Sequence, residues 1–174
     1  DLIRHAKLNN IPVISIDHYI EGCYNINYDY KTALEKILCH LIEDHHYTCI
    51  NFIAGIKGNA YSDERIDIYK KVLKEHNIPI EEERIGYGGF WSIPTKKVIK
   101  DFINSELPMP QAIACANDTM AITAYNSLIN AGYDLPQEIA ITGFDGLIQA
   151  IEHYPAITTA QHDYENAVIK AFDI

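Results

Sequence analysis

The chain has 174 residues, a hydrophobic fraction of 48% and a formal net charge of −10. This length and composition exclude a disordered chain and allow one full core, or one domain with pieces of another. The acidic balance argues against a nucleic-acid face, which needs clustered Lys and Arg. The densest basic cluster, Lys70, Lys71 and Lys74, sits beside Asp67 and Glu75 on a predicted helix and reads as a solvated face.

No apolar run reaches the roughly 18 residues of a membrane span, and no basic, apolar, small-residue signal segment stands at the start. The sequence opens and closes mid-pattern, on Asp1-Leu2-Ile3-Arg4 and Ala171-Phe172-Asp173-Ile174, so it is expected to be part of a longer protein. The cysteines, at 23, 39, 49 and 115, show no CxxC spacing. Three of them, Cys39, Cys49 and Cys115, lie in apolar runs, where free Cys behaves as a small hydrophobe. That usage suits a reducing, cytoplasmic compartment without a disulfide framework.

In chain order, a helix end at Leu2–Leu8 leads to a strand at Ile11–Ile16. A helix over Tyr30–Asp44 buries one stripe, Tyr30, Ala33, Leu34, Ile37, Leu38, Leu41 and Ile42. Cys49–Ala54 is a strand, and Ser62–His76 a helix with Ser62 as its predicted N-cap. A short strand at Arg84–Tyr87 and a helix near Ile93–Asn104 follow, then Pro108 and Pro110 punctuate the link to strand Ala112–Ala116. Helix Asp118–Ala131 stops at Gly132, strand Ile139–Thr142 follows, and a last strand Ile157–Ala160 leads into a helix from about Tyr164. Strands alternating with helices of about a dozen residues predict an α/β fold with a doubly wound, mostly parallel sheet. No internal repeat or low-complexity stretch interrupts it.

In such sheets ligands bind beyond the carboxyl ends of the strands. Four polar or aromatic residues follow successive predicted strand ends: Arg65, Trp91, Asn117 and Asp145. Arg65 shares a helix face with Tyr69, Val72 and His76, so its guanidinium aims inward, where it can fork onto a carboxylate or paired hydroxyls; the plainer reading is a surface ion pair with Glu64 or Asp67. Asn117 lines up with Met120, Ala121, Ala124, Tyr125 and Leu128; it either caps its helix or, if Asp118 takes that job, is left for a ligand. Asp145, in Thr142-Gly143-Phe144-Asp145-Gly146, can accept a pair of sugar hydroxyls or simply make a turn. Trp91 is the single Trp; it either walls a sugar ring or base, or anchors a glycine-rich loop. Asp17 follows the Ile11–Ile16 strand and is a fifth candidate, reaching the same cleft from a second lobe.

Catalytic signatures are missing. Gly55-Ile56-Lys57-Gly58 lacks phosphate-loop spacing, no Gly-x-Ser-x-Gly elbow exists, and His18, His45 and His46 read as loop histidines without metal-ligand spacing. With no nucleophile to name, no enzyme, cofactor or metal is expected.

Two stretches carry a family resemblance: Ala114-Cys115-Ala116-Asn117-Asp118-Thr119-Met120-Ala121, and the run from Gly132-Tyr133-Asp134-Leu135-Pro136 to Ile141-Thr142-Gly143-Phe144-Asp145. With Pro155-Ala156-Ile157-Thr158-Thr159 and Ile11-Pro12-Val13-Ile14-Ser15-Ile16-Asp17, the sequence resembles the effector-binding domain of lactose/galactose-repressor-type (LacI/GalR) bacterial regulators. The resemblance implies two periplasmic-binding-protein-like lobes of type I, with a small-molecule effector, most often a sugar or sugar derivative, in the cleft between them. It implies a complete C-terminal lobe over residues 30–159, with residues 1–29 and 160–174 as parts of the other lobe. It assigns effector contacts to the positions of Arg65, Trp91, Asn117 and Asp145, and often to one near Asp17. It also implies a homodimer, and DNA contact only through a helix-turn-helix outside these residues. The sequence departs from the pattern at Ile68, where glycine is usual, at Gly146, where a second Asp is usual, and after the paired threonines, at Ala160-Gln161-His162. Similar sensor domains are joined to other outputs, such as a GGDEF diguanylate cyclase, and a periplasmic-type binding protein of a transporter shares the fold.

Overall fold

Apolar residues at the helical repeat, and short runs buried on both faces, fold as alternating helices and parallel strands in the computed structural model, which describes residues 2–173. The chain divides into two units: the residues up to Tyr30 together with those from His162 onward, and Lys31–Gln161. Asp1 and Ile174, the outermost positions of the expected second-lobe segments, lie outside the described residues.

The smaller unit contains α1 (Leu2–Leu8), β1 (Ile14–Ile16) and β2 (Tyr24–Ile26), the two strands pairing in parallel with Ile14 opposite Tyr24. β1 is shorter than the predicted Ile11–Ile16 run, because Pro12 has no N–H to give a ladder and Ile11 is exposed. β2 carries no apolar run, and no strand is predicted there. The last helix, α7 (Tyr164–Phe172), packs on β2 and is capped by Asp163, whose carboxylate accepts the Asn166 N–H at 2.9 Å. Tyr28 packs on the His162 ring, with centroids 4.8 Å apart.

In the larger unit, α2 (Tyr30–Cys39) presents Leu34, Ile37 and Leu38 to the core, as its stripe predicts. The predicted helix does not stay α-helical to Asp44. His40–Asp44 is a single π turn, closed by the His45 N–H on the His40 carbonyl. The remaining elements are β3 (Ile50–Ala54), α3 (Ala60–Glu75), β4 (Ile85–Tyr87), α4 (Ser92–Ile103), β5 (Ala112–Cys115), α5 (Asp118–Asn130), β6 (Ala140–Thr142) and α6 (Ile148–Ile151). The predicted strand at Ile157–Ala160 is not one. It touches the sheet only at the isolated bridge of Thr158 to Thr142, followed by one of Gln161 to Asp145. Arg84 is not in β4 either: it closes a short 3-10 turn and is buried, donating to Asn51 Oδ1 at 3.0 Å and to the Pro108 carbonyl.

The four strands run parallel in the order β4–β3–β5–β6. Every residue of β3 and β5 is buried, as expected for central strands covered on both faces. Full burial of each Ile or Phe stabilises by roughly 1.5–3 kcal/mol. Phe52 stacks on Tyr69 of α3 at 5.1 Å, and the Tyr69 hydroxyl donates to the Ile50 carbonyl at 2.7 Å. The chain steps one way from β3 to β4 and the other way from β4 to β5 and β6. With right-handed crossovers, α3 therefore covers one face, while α4 and α5, which pack on each other, cover the opposite one. The loops after β3 and β5 diverge to opposite faces, and a crevice opens between them. Among the described residues, no helix is long and apolar enough to cross a membrane.

Candidate functional site

Arg65 and Asn117 stand on the two sides of that crevice. α3 starts earlier than predicted: Asn59 is its N-cap, its side chain accepting the N–H groups of Tyr61 at 3.1 Å and Ser62 at 3.3 Å. Ser62 is instead buried inside the first turns. Its stripe of Ile66, Tyr69, Val72 and Leu73 is buried, and this rotates Arg65 inward. The Arg65 side chain is only 12% exposed. One of its five N–H donors goes to the Ala116 carbonyl at the end of β5, so the guanidinium spans from α3 to the β5 loop. The cation lies 4.7 Å from the Phe144 ring centroid and 5.8 Å from that of Phe90, within range of attraction by aromatic faces.

Asp145 faces Arg65, with its carboxylate 3.9 Å from the guanidinium. It holds φ 119°, a conformation that costs a non-glycine residue of order 1–3 kcal/mol unless the surroundings fix it. They do. The Asp145 N–H donates to the Ala160 carbonyl at 3.1 Å, and the Gly143 N–H to the Thr158 carbonyl at 2.9 Å. Beneath the loop lies Asp118, fully buried. Its carboxylate accepts the Leu147 N–H at 2.6 Å and the Thr159 hydroxyl at 2.7 Å, and its own N–H donates to the Phe144 carbonyl at 2.8 Å. A Cβ at Gly143 would collide with this carboxylate. Gly146, where the resembled pattern has Asp, has φ 70° and no room for a Cβ against Gln161. The departure is thus a consequence of the close return of the chain.

Asn117 takes the capping role that was one of its two readings. It is itself the N-cap of α5, its Oδ1 accepting the Met120 N–H at 2.9 Å, while Asp118 is committed to the loop below. The amide still faces the crevice, because its Nδ2 donates to the Phe90 carbonyl at 3.3 Å. Trp91 occupies the N-cap position of α4 with its indole exposed, at 69% of its surface. The loop's anchor is its neighbour Phe90 at φ 65°, whose ring fills the space a Cβ at Gly55 would need. Phe90, Phe144 and Asp118 therefore build the site without having been expected in it. Asp17 belongs to the smaller unit. It has φ 64°, and its N–H donates to the Ile26 carbonyl at 2.8 Å. Its carboxylate and that of Asp163, together with burial as the larger cause, raise the Tyr28 phenol above its ordinary pKa. A cavity of about 260 Å³ bordered by His40, Tyr47, Tyr125 and Pro155 shares no residue with the Arg65 cluster.

A doubly wound sheet with polar groups gathered at its switch point is the arrangement in which α/β domains hold ligands. Residues 38–173 match the family model described as a periplasmic binding protein-like domain. The HTH-type transcriptional repressor PurR of Actinobacillus pleuropneumoniae serotype 3 (strain JL03) is 30% identical over 135 residues, covering 78% of this chain and 40% of that protein. The probable HTH-type transcriptional repressor ExuR of Bacillus subtilis (strain 168) is 28% identical over 165 residues, covering 94% of this chain and 49% of that protein. Among solved structures, the Escherichia coli transcriptional repressor ascG superposes with a TM-score of 0.83 at 20% identity, covering 99% of this chain and 63% of that one. The chain belongs to the periplasmic binding protein-like domain family, as an effector-binding domain of the lactose/galactose-repressor type. It spans half the length or less of these two curated relatives.

Proposed function

We propose that this chain is the small-molecule-sensing part of a bacterial transcriptional regulator, and that its effector is a sugar or sugar derivative held on the loops after β3, β4, β5 and β6. The observation that carries the reading is the grouping of Arg65, Asp145 and Asn117 at the switch point. A cation, a carboxylate and an amide side by side complement the adjacent hydroxyls of a polyol, which both donate and accept. Trp91, exposed on the neighbouring loop, would supply a flat apolar wall for the ring face. The repressor names of the relatives support a regulatory output; DNA contact and homodimer assembly are proposed for the whole protein. The effector acts on that output only through its differential affinity for two conformations.

A thermal-shift screen of sugars, sugar phosphates and nucleobases identifies the ligand, since whatever binds the folded state raises its Tm. Arg65→Ala and Asp145→Ala are then each expected to abolish binding by calorimetry while the circular dichroism spectrum stays that of the parent. Unchanged affinity in both variants removes the site.

A further inference from the structure

Away from the switch point, the π turn that ends α2 sits beside the C-terminal end of α3. Cys39 closes α2, Glu43 follows four residues later on the π turn, and His76 is the C-cap of α3. One ligand-capable atom from each, a thiol sulfur, a carboxylate oxygen and an imidazole nitrogen, lie within 4.8 Å of one another. We propose that Cys39, Glu43 and His76 form a binding site for a divalent transition-metal ion, with Zn²⁺ the ion its donors suit best.

Three observations carry this. The first is the donor set. Thiolate, imidazole and carboxylate are the zinc ligands, and the sulfur argues against Mg²⁺ and Ca²⁺, which take oxygen. The second is the orientation of His76. Its Nδ1 lies 2.8 Å from the Val72 carbonyl, an acceptor only, so Nδ1 carries a proton. Nε2 is thereby turned to Glu43, 2.9 Å away. A neutral imidazole in this tautomer offers its lone pair at Nε2, and a backbone carbonyl on the far nitrogen is the usual device for aiming a metal-bound histidine. Two electron-pair donors this close need a cation between them, a proton or a metal. The third is the field. Glu35 and Glu75 also act on Cys39, opposed among the described residues by Lys71, whose ammonium contacts Glu35 at 2.6 Å and Glu75 at 3.9 Å. The surroundings are net negative and favour an added cation.

Bond lengths of about 2.0–2.3 Å to tetrahedral zinc place ligand atoms roughly 3.2–3.8 Å apart. The site reaches that spacing if the Glu43–His76 pair opens slightly and the wider separations close, movements within reach of an exposed glutamate side chain. Binding forms one bond each to sulfur, nitrogen and oxygen. It releases to solvent the Cys39 thiol proton and the proton held between His76 and Glu43, and leaves a fourth position for water. The ligands come from two helices 33 residues apart, counting from Glu43 to His76, which is why no sequence spacing announces them.

The chain, freed of metal by a chelator, is titrated with Zn²⁺ against a chromophoric competitor and then with Co²⁺. One high-affinity zinc per chain is expected, with a rise in Tm. Cobalt should give a thiolate-to-metal charge-transfer absorption in the near ultraviolet. Cys39→Ser should abolish that absorption, and His76→Ala and Glu43→Gln should each weaken zinc at least tenfold. His45→Ala, in the neighbouring pair where His45 and His40 nitrogens lie 3.2 Å apart, should change none of these. Glu43 is exposed, so its variant keeps the test decisive should the other two misfold. Absence of the thiolate band, zinc affinity unchanged in Glu43→Gln, or loss of zinc in His45→Ala overturns the proposal.

Discussion

Asp118 accepts the Thr159 hydroxyl at 2.7 Å, and so the first residue of α5 fixes the segment on which Asp145 is mounted. Asp118→Ala strips acceptors from two donors, the Leu147 N–H and the Thr159 hydroxyl, inside a buried site. The expected loss is about 3 kcal/mol, since an unsatisfied buried donor costs of order 1–3 kcal/mol. Urea unfolding measures it, and a loss below about 1 kcal/mol would show the network to be ornamental to stability.

Asn117 has two tasks that substitutions can separate. Asn117→Ala removes the cap on the Met120 N–H and is expected to cost about 1 kcal/mol. Asn117→Ser retains a capping oxygen but has no amide to reach the Phe90 carbonyl. It should keep nearly parental stability while losing effector affinity. Equal affinity of Asn117→Ser and the parent by calorimetry would confine Asn117 to capping.

Gly55 and Phe90 occupy one space. Gly55→Ala forces the Phe90 ring aside and is expected to cost about 1–3 kcal/mol, the usual penalty for overpacking. In the double variant Gly55→Ala with Phe90→Ala the collision disappears, so the two losses should not add. A coupling near zero in this cycle would contradict the packing.

Three of the cysteines should divide by reactivity. Cys115 is buried in β5, and burial foremost, with Asp118 second, pushes its thiol well above the ordinary range. At neutral pH it then holds almost no thiolate, the reactive form. Cys23 and Cys49 are only half-buried. Alkylation read by mass spectrometry should modify these two in the native chain, and Cys115 only after denaturant is added. Fast native labelling of Cys115 would place it differently.

How much of this was legible in the sequence depended on whether a residue's role was set locally. Arg65 could be aimed inward from the stripe it shares with Tyr69 and Val72, because the helical repeat alone fixes that face. The stop at Gly132 was equally local: φ 94° there lets the Tyr133 N–H reach back to the Leu128 carbonyl. The caps are less legible: Asn59 and not Ser62 caps α3, and at α5 Asn117 and Asp118 could not be told apart. Ser62 and Asp118 are both good capping residues by type, and only tertiary burial shows that Asn59 and Asn117 do the work. Ile157–Ala160 has the composition of a strand, but its backbone groups go chiefly to the loop around Gly143 and Asp145. Phe90 and Phe144 gave no sign of flanking Arg65, since nothing along the chain tells which aromatic lies over a cation. The Gly55 collision points to Phe90 alone, and it exists only once the fold has formed.

One partner of Arg65 is a main-chain carbonyl, that of Ala116. A side-chain partner can be lost to a single codon change, whereas a backbone oxygen persists whatever residue stands at the position. This contact ties the guanidinium on α3 to the main chain just past β5. Under the proposed function, Trp91 and Asn117 could be exchanged for other side chains, altering which molecule fits, while this contact of the positive charge is kept.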